Sequence, residues 1–285
     1  MLHGYIPHDR FLPYLTWTDI QALPGKEDTV IVLPCGAIEQ HGPHLPCSVD
    51  SVISQGVMGK ALERLPAEVP AFALPGVVYG KSEEHLHFAG TMTLTGPTLM
   101  STITEIGESV YRSGFRKLLL ANGHGGQPQV LEMAARELRL RHGDFIVVSH
   151  GVTRLPNASG RQVSELERRL AMHAGHSETA LMLALAPETV HMERAVANYP
   201  PPFPISLLSP DGRPACAWTS RDFGPTGVIG DPTTATREQG LEILSTLADS
   251  WVKVLQELRA LRWVVREEQT WGRGNETGFI QGPLE

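Results

Sequence analysis

Residues 29–46 read TVIVLPCGAIEQHGPHLP, and this stretch sets the expected architecture. Its first six residues, 29–34, are apolar and rich in β-branched side chains, with turn-forming residues on both sides, which predicts a buried strand. The strand is expected to lead into a loop at residues 36–46, and a helix is expected from about Ser51. A buried strand that feeds a loop and then a helix is typical of a parallel sheet.

The alternation of strand and helix continues along the chain. Further strands are predicted at residues 69–74, 117–121 and 145–148, and further helices at 97–114, 128–142, 162–172, 178–186 and 237–261. This order favours an α/β fold with a largely parallel, doubly wound sheet. In such folds, sites form beyond the carboxyl ends of the strands.

We predict a single domain at residues 1–265, because the chain shows no internal repeat and no second core. Residues 191–232 break the alternation with four prolines between positions 200 and 204 and are too long for an ordinary connection. They are expected to form an excursion that covers a pocket or reaches a neighbouring subunit. Residues 266–285 are polar and Gly-rich and are predicted to be a C-terminal tail.

The composition disfavours several classes of protein. The 285 residues include 24 Lys+Arg and 31 Asp+Glu, a net charge of −7, so nucleic acid is not an expected partner. No apolar segment approaches the roughly 18 residues that span a bilayer, and no signal peptide is apparent, which predicts a soluble, cytoplasmic protein without a membrane partner. Cys35, Cys47 and Cys216 form no C-x-x-C pair and are expected to be free thiols.

Carboxylates and histidines follow the predicted strands. Glu39 and His41 come after the first strand and, two residues apart in extended chain, project to the same side. Asp50 follows beyond a loop, His124 comes directly after the strand at 117–121, and Glu178 lies at the start of an apolar helix. Carboxylate and imidazole donors that converge from strand-end loops suit Zn²⁺ or Mn²⁺.

Each of these residues also has a structural interpretation. A single histidine after a strand is more often a hydrogen-bonded turn residue, Glu178 would favour a helix N-terminus, and Asp50 would cap the helix expected at Ser51. Taken together, three carboxylates at one place need cations, so the spacing alone predicts a metal site. Cys35 and Cys47 are soft enough to bind metal, but small buried side chains are the more common role.

Longer motifs around these residues resemble the creatininase (creatinine amidohydrolase) family. Residues 33–46, followed by Val49 and Asp50, resemble its L-P-x-G-x-x-E-Q-H-G-x-H-L-P…D signature. Four further segments resemble motifs of the same family. They are residues 82–91 (S-x-E-H-x-x-F-P-G-T in the family), 122–126 (N-G-H-G-G), 173–179 (H-A-G-x-x-E-T) and 227–236 (G-x-x-G-x-P…A-T). The resemblance covers about residues 15–260.

The resemblance implies a three-layer α/β/α sandwich around a mostly parallel sheet, two divalent metal ions per chain, Zn²⁺ and/or Mn²⁺, and a homo-oligomer, often a hexamer. Carried over by position, Glu39 and His124 would bind one ion, His41 and Glu178 the other, and Asp50 would bridge them. Two divalent cations against three carboxylates leave one positive charge, which a bridging hydroxide would balance. Metals lower the pKa of bound water to about 7, so this hydroxide is the expected nucleophile.

His173 matches the family's catalytic histidine, which would protonate the leaving nitrogen as a general acid. The alternative is a histidine that only orients Glu178. Four further residues are candidates for binding substrate or orienting the site: His85, Asn122, Gly125 and Gly126. For His85 and His87 a turn or interface role is equally open.

Smaller roles are expected of two more histidines. His176 should begin a helix, and His44 should shape its loop.

The chain departs from creatininase itself at two places. Creatininase carries Tyr-Glu after N-G-H and a Trp-rich segment before the catalytic histidine, whereas this chain has Gly125 and Gly126, and RRLAM at residues 168–172. These departures argue against creatinine as the substrate. Family relatives with Gly-Gly cleave other C–N bonds, including those of formamides and short peptides, and at least one acts on a cyclic sugar derivative.

The predicted function is a dinuclear metal-dependent amidohydrolase that cleaves an amide, cyclic amide or formamide C–N bond of a small, non-peptide molecule. The alternatives are a metallopeptidase acting on a short peptide, a hydrolase of a cyclic sugar derivative, and a non-catalytic, metal-stabilised family member. The chain lacks the G-x-S-x-G, H-E-x-x-H and G-x-x-x-x-G-K-[ST] motifs of other catalytic classes.

Overall fold

The computed structural model describes residues 2–200 and 216–263. Within them a four-stranded sheet has the order β2-β1-β3-β4, and all three strand pairs are parallel. The strands are β1 (Val30–Cys35), β2 (Ala71–Ala73), β3 (Lys117–Asn122) and β4 (Ile146–Gly151). The sheet confirms the predicted α/β class.

Helices connect and follow the strands. They are α1 (Trp17–Ala22), α2 (Val49–Arg64), α3 (Gly96–Arg112), α4 (Pro128–Arg141), α5 (Ser159–Gln162), α6 (Glu165–Leu170), α7 (His176–Leu185) and α8 (Arg237–Ala260). Short 3₁₀ turns lie at His8–Arg10, Leu12–Tyr14, Glu83–His85, Pro187–Thr189, Met192–Arg194 and Ser220–Phe223.

The alternating side chains of β1 divide the interior into two cores. Val30 and Val32 face one core, which α2, α7 and α8 complete and in which Trp251 is fully buried. Ile31, Leu33 and Cys35 face the other core, against α3 and α4. Because successive side chains of a strand point to opposite faces, the sheet is covered on both sides. The three-layer α/β/α prediction is therefore confirmed.

The structure corrects one predicted element. A single helix at residues 162–172 is wrong, because the segment forms the two short helices α5 and α6. Ser164 separates them, and its hydroxyl accepts a hydrogen bond from the backbone N–H of Glu167 at 3.1 Å, which starts α6 afresh. After α6 the chain is extended, and His173 pairs with Ile229 instead of continuing a helix.

Other predicted boundaries move by small amounts. The helix expected from Ser51 begins at Val49, and the strand expected at 69–74 is the shorter β2. The strand expected at 145–148 extends to Gly151, because pairing with β3 continues past the apolar residues. No apolar pattern marks this extension, since it contains Ser149 and His150.

The predicted excursion at 191–232 contains only short turns and isolated bridges in its described part. Asn198 pairs with Gly230, so the two sides of the excursion meet. The predicted tail at 266–285 and residues 201–215 of the excursion lie outside the described residues, and the domain boundaries stay a prediction. No helix in the described ranges is long and apolar enough to cross a membrane.

Candidate active site

The candidate site lies at the carboxyl ends of β1 and β3. Glu39 and His41 follow β1, His124 follows β3, and Asp50 lies in the first turn of α2. The β3 loop approaches α2 so closely that a Cβ on Gly123 would collide with the carbonyl oxygen of Asp50. All four side chains are buried, with at most 4% of their residue surface exposed. The fold thus brings together residues that the sequence placed after two different strands.

Asp50 lies between two histidines. Its Oδ1 is 3.3 Å from Nε2 of His41, and its Oδ2 is 3.1 Å from Nδ1 of His124. A second carboxylate accompanies each histidine: Oε2 of Glu39 is 3.2 Å from Nδ1 of His124, and Oε2 of Glu178 is 4.0 Å from Nε2 of His41. Oε1 of Glu39 also lies 3.9 Å from Nε2 of His41, so the two carboxylate–imidazole pairs adjoin one another, with Asp50 between the two imidazoles.

Several of these buried atoms have no hydrogen-bond partner among the described residues. They are Oε2 of Glu39, Nε2 of His41 and Oδ2 of Asp50. A buried polar atom left unpaired costs about 1–3 kcal/mol, and more if it is charged. Donor atoms of Glu39, His41 and Asp50 lie within 4.8 Å of one another. Because carboxylates and imidazoles are the ligands of Zn²⁺ and Mn²⁺, this donor set fits divalent cations.

The charges of the site shift its pKa values strongly. Burial disfavours the charged form of every group in the site. At His41 the attraction of the Asp50 carboxylate exceeds this effect of burial and raises the pKa of the imidazole to about 9. Burial is also outweighed at Glu39, where His124 lowers the pKa of the carboxyl to about 2. The pKa of His124 is raised and that of Asp50 is lowered in the same way. In the absence of metal, protonated imidazoles therefore balance the negative charge of the carboxylates, as bound cations would.

The structure bears on the alternatives for Asp50 and Glu178. Asp50 does not cap α2, because the helix begins before it, at Val49, and its carboxylate faces the histidines. Glu178 lies in the first turn of α7, where its Oε2 accepts a hydrogen bond from the backbone N–H of Ala174 at 2.6 Å. The same oxygen faces His41, so Glu178 stabilises the helix start and borders the site at once.

Within the described residues, the cysteines supply no thiol to the candidate metal-donor groups. All three are free thiols, as predicted. Cys35 packs in the apolar core beneath α3 and α4, and burial raises the pKa of its thiol. Within the described ranges, neither Cys35 nor Cys47 belongs to a group of metal donors. Cys35 is thus a small buried residue, whereas Cys47 is only partly buried, and its carbonyl oxygen accepts from the backbone N–H of Glu39 at 2.9 Å.

His173 lies between two other histidines, with its ring centroid 4.2 Å from that of His41 and 4.3 Å from that of His85. Its Nε2 is 2.7 Å from the carbonyl oxygen of Gln40, which makes Nε2 the protonated nitrogen. Its Nδ1 then carries a free lone pair and lies 3.7 Å from Oε1 of Glu39. Burial, with the nearby charges of His41 and His85, holds the pKa of His173 well below its usual range.

His85 belongs to the cluster, while His87 is exposed. Nε2 of His85 is 3.3 Å from Oε1 of Glu39, and its Nδ1 lies 2.9 Å from Nε2 of Gln40 and 2.7 Å from Oγ of Ser220. His85 thus orients Glu39. Gln40 and Ser220 are site residues that the sequence analysis missed. Gln40 stood within the quoted signature, whereas Ser220 belongs to no motif that we recognised.

The loop after His124 is shaped by its neighbours. Asn122 Oδ1 accepts from the backbone N–H of His124 at 3.0 Å, and Asn122 Nδ2 donates to its carbonyl oxygen at 2.8 Å, so Asn122 orients this loop. A Cβ on Gly126 would collide with Oε1 of Glu84, an oxygen 3.5 Å from Nε2 of His124. A Cβ on Gly125 would meet no atom within 4 Å. Gly126 thus makes room for the Glu84 carboxylate, a further group that the sequence analysis missed, and Gly125 leaves open space.

His44 and His176 take the smaller roles expected of them. His44 is buried, and its Nε2 lies 2.9 Å from Oγ1 of Thr179, which joins the loop after β1 to α7. His176 is the first residue of α7.

A buried cluster of carboxylates and histidines at this edge of a parallel α/β sheet is the arrangement expected of a metal-binding hydrolase. The family model of creatininase, described as creatinine amidohydrolase, matches residues 13–255. The chain belongs to the creatininase family.

Three curated relatives show the range of activities among similar proteins. The mycofactocin precursor peptide peptidase of Mycobacterium tuberculosis (strain CDC 1551 / Oshkosh) is 35% identical over 240 residues, covering 82% of this chain and 85% of the relative. The creatinine amidohydrolase of Pseudomonas putida is 32% identical, covering 87% and 96%. The 3-dehydro-scyllo-inosose hydrolase of Thermotoga maritima is 25% identical, covering 82% and 78%.

Solved creatininase structures share the fold. A manganese form matches with a TM-score of 0.70 and 30% identity over 87% of this chain and 98% of that structure. A Zn–Zn form of a creatininase variant matches with a TM-score of 0.69 and 30% identity over 87% and 97%. The chain is therefore a creatininase-family hydrolase whose structural relatives hold Mn or Zn.

Proposed function

We propose that this protein is a dinuclear metal-dependent amidohydrolase that cleaves an amide, cyclic amide or formamide C–N bond of a small molecule. The position of Asp50 carries the proposal. Its two oxygens face two different histidines, and each histidine has a second carboxylate beside it. One carboxylate that faces two donor pairs suits two neighbouring cations, because carboxylates and imidazoles are ligands of Zn²⁺ and Mn²⁺.

In this proposal Glu39 and His124 would hold one ion, His41 and Glu178 would hold the other, and Asp50 would supply a carboxylate to both. The Mn and Zn forms of the structural relatives support these two metals. Bound divalent ions polarise a substrate carbonyl and lower the pKa of water from 15.7 to about 7, which supplies a nucleophile at neutral pH. His85 and Asn122 orient Glu39 and the His124 loop from outside the donor set.

His173 is the proposed proton carrier. The Gln40 carbonyl holds its Nε2–H, so protons move at Nδ1, the nitrogen that faces the cluster. Because burial keeps His173 neutral at the outset, the proton that it delivers is one that Nδ1 accepts from the attacking water. Delivery of this proton to the departing nitrogen completes the cleavage. Within the described residues no hydrogen bond joins the His173 side chain to Glu178, which argues against a purely orienting role.

A metallopeptidase acting on a short peptide is the second candidate. The 35% identity to a peptide peptidase favours it, and so does the open space beside Gly125, which admits a larger substrate than a tyrosine there would. A cyclic sugar derivative has weaker support, from a relative 25% identical. A non-catalytic role is disfavoured, because a purely structural site has no use for the proton carrier His173.

The oligomeric state, cellular location and partners of the protein are also part of the proposal. We expect a cytoplasmic homo-oligomer, with a hexamer favoured, that acts on a small molecule and binds neither nucleic acid nor membrane. Light scattering at micromolar concentration measures the oligomer directly. A monomer would contradict this part of the proposal.

The experiment that tests the function is a substrate panel assayed with the Zn²⁺- and Mn²⁺-loaded protein. The panel comprises cyclic amides, formamides and short peptides, with release of the amine as the readout. Turnover of a non-peptide amide that is abolished by chelator is the expected result. Turnover of peptides alone would replace the proposal by the metallopeptidase, and no turnover of any substrate by fully loaded protein would favour the non-catalytic alternative.

A further inference from the structure

Glu167 is a buried carboxylate outside the metal donor set. It lies on α6 with 6% of its surface exposed, and no cation pairs with it among the described residues. Its Oε1 accepts a hydrogen bond from the backbone N–H of His176 at 2.9 Å. Its Oε2 accepts from the backbone N–H of Asp231 at 2.8 Å and from the hydroxyl of Tyr199 at 2.9 Å. Both oxygens of this carboxylate therefore act as hydrogen-bond acceptors.

Two glycines leave room for this carboxylate. A Cβ on Gly175 would lie 2.5 Å from Oε1 of Glu167, and a Cβ on Gly230 would lie 3.0 Å from the same oxygen. Both distances are shorter than carbon–oxygen packing allows without displacement. The two segments that carry these glycines are therefore built around the position of Glu167.

The contacts of Glu167 enclose the segment that carries His173 and Glu178. His173 pairs with Ile229, with N–H···O distances of 3.2 and 2.8 Å, and Asp231 comes two residues later. On the other side His176 starts α7, whose N-terminus favours an anion. Between them Ala174 has φ +53°, a left-handed conformation that persists in a non-glycine residue only where its surroundings fix it.

We propose that Glu167 is a positioning residue for the reaction, acting through the backbone amides of His176 and Asp231. It fixes residues 173–178 so that Nδ1 of His173 and the carboxylate of Glu178 face the other site residues. This inference rests on the proposed function, and Glu167 itself touches none of the proposed metal donors' side chains.

The same carboxylate connects the site to the excursion. Tyr199 precedes residues 201–215 and Asp231 follows them, and Glu167 binds both. Burial and the Glu167 carboxylate raise the pKa of Tyr199 to about 12, so its hydroxyl remains a donor at neutral pH. The Glu167 carboxylate thus contacts both the excursion, at Tyr199 and Asp231, and the segment after His173, at His176.

Glu167→Gln tests the proposal, because an amide has one acceptor oxygen and would turn an NH₂ group toward one set of these donors. Glu165→Gln is the matched control, since Glu165 is exposed on the same helix and the substitution removes the same charge. Zn²⁺ is titrated into each metal-free protein by calorimetry well below its melting temperature. The kcat and KM are then measured on whichever substrate the wild type turns over.

The expected result is that Glu167→Gln binds one Zn²⁺ as the wild type does and a second at least about 10-fold more weakly. A displaced proton carrier should lower kcat by about 10- to 100-fold with little change in KM. Glu165→Gln should match the wild type. Wild-type affinity for both ions in Glu167→Gln, or equal losses in Glu165→Gln, would overturn the proposal.

Two further measures keep the test decisive. If Glu167→Gln does not fold, Tyr199→Phe takes its place, with weaker binding of the second Zn²⁺ expected and wild-type binding contradicting the proposal. The calorimetry needs no substrate, so a wild type that binds two ions but hydrolyses no C–N bond would defeat the proposed function and leave the positioning role to be decided by the titrations.

Discussion

A single backbone contact decides which nitrogen of His173 faces the cluster. The Gln40 carbonyl oxygen accepts from Nε2, and this leaves Nδ1 as the nitrogen that faces Glu39. Gln40 is held in turn by its own amide, which accepts from the N–H of Gly42 at 2.8 Å and donates to the carbonyl of Gly227 at 3.1 Å. Gln40, the middle residue of the E-Q-H triplet, thus sets the orientation of His173, which lies 133 residues further along the chain.

Replacement of His173 tests whether this residue carries a proton or binds a metal ion. His173→Ala should keep both metals and its fold but lose about 10²- to 10⁴-fold in kcat, the usual contribution of general acid–base catalysis. The loss should shrink for substrates whose leaving group needs no proton. Glu178→Gln should instead lose metal and activity together. Steady-state kinetics with elemental analysis checks both variants, and unchanged kcat or complete metal loss in His173→Ala would refute the assigned role.

The raised pKa of His41 predicts how the metal-free protein responds to pH. An imidazole whose pKa rises from about 6.5 in the unfolded chain to about 9 in the fold stabilises the fold fully below pH 6.5. That contribution is lost as the pH rises toward 9. The free energy of unfolding of chelator-treated protein should therefore fall over this interval, by up to about 3 kcal/mol.

Urea denaturation at pH 6 and pH 9 measures this dependence. With Zn²⁺ added, the trend should reverse, because the ions bind neutral imidazole and displace its proton. A metal-free protein that is equally stable at both pH values would contradict the charge arrangement at His41.

At the scale of the element, helices α2 and α7 both begin at the site. Each contributes a carboxylate from its first turn, Asp50 from α2 and Glu178 from α7. The sequence predicted both helices, because local apolar periodicity and turn residues specify an element. It did not predict the break before α6 or the contact of Ser220 with His85, which joins residues 135 positions apart. Local patterns carry no information about such pairings.

Gly123 tests the packing of the β3 loop against α2. In Gly123→Ala the new Cβ would meet the Asp50 carbonyl and lie 2.9 Å from Cβ of Ser54, so the loop and α2 must separate. The expected result is a loss of about 1–3 kcal/mol in stability, together with lower Zn²⁺ occupancy. Gly125→Ala is the control, since its Cβ enters open space. Thermal unfolding and metal analysis compare the two, and equal effects would contradict this packing.

At the scale of the whole molecule, a parallel sheet between two helical layers gathers loops that are distant in sequence. The order β2-β1-β3-β4 places β1 and β3 side by side, so the residues after Cys35 and after Asn122 meet. The sequence predicted this edge correctly because buried parallel strands have a clear apolar pattern. The pairing of donor side chains around Asp50 could be identified only from the structure, because spacing along the chain does not give distances between side chains.

The most direct measurement of the central claim is the number of divalent ions per chain, by elemental analysis of protein loaded with Zn²⁺ or Mn²⁺ and then freed of excess metal. The account predicts two ions in the wild type, two in His87→Ala, which alters an exposed histidine outside the cluster, and close to none in Asp50→Asn. A wild type that holds fewer than two ions, or an Asp50→Asn variant that keeps both, would contradict it.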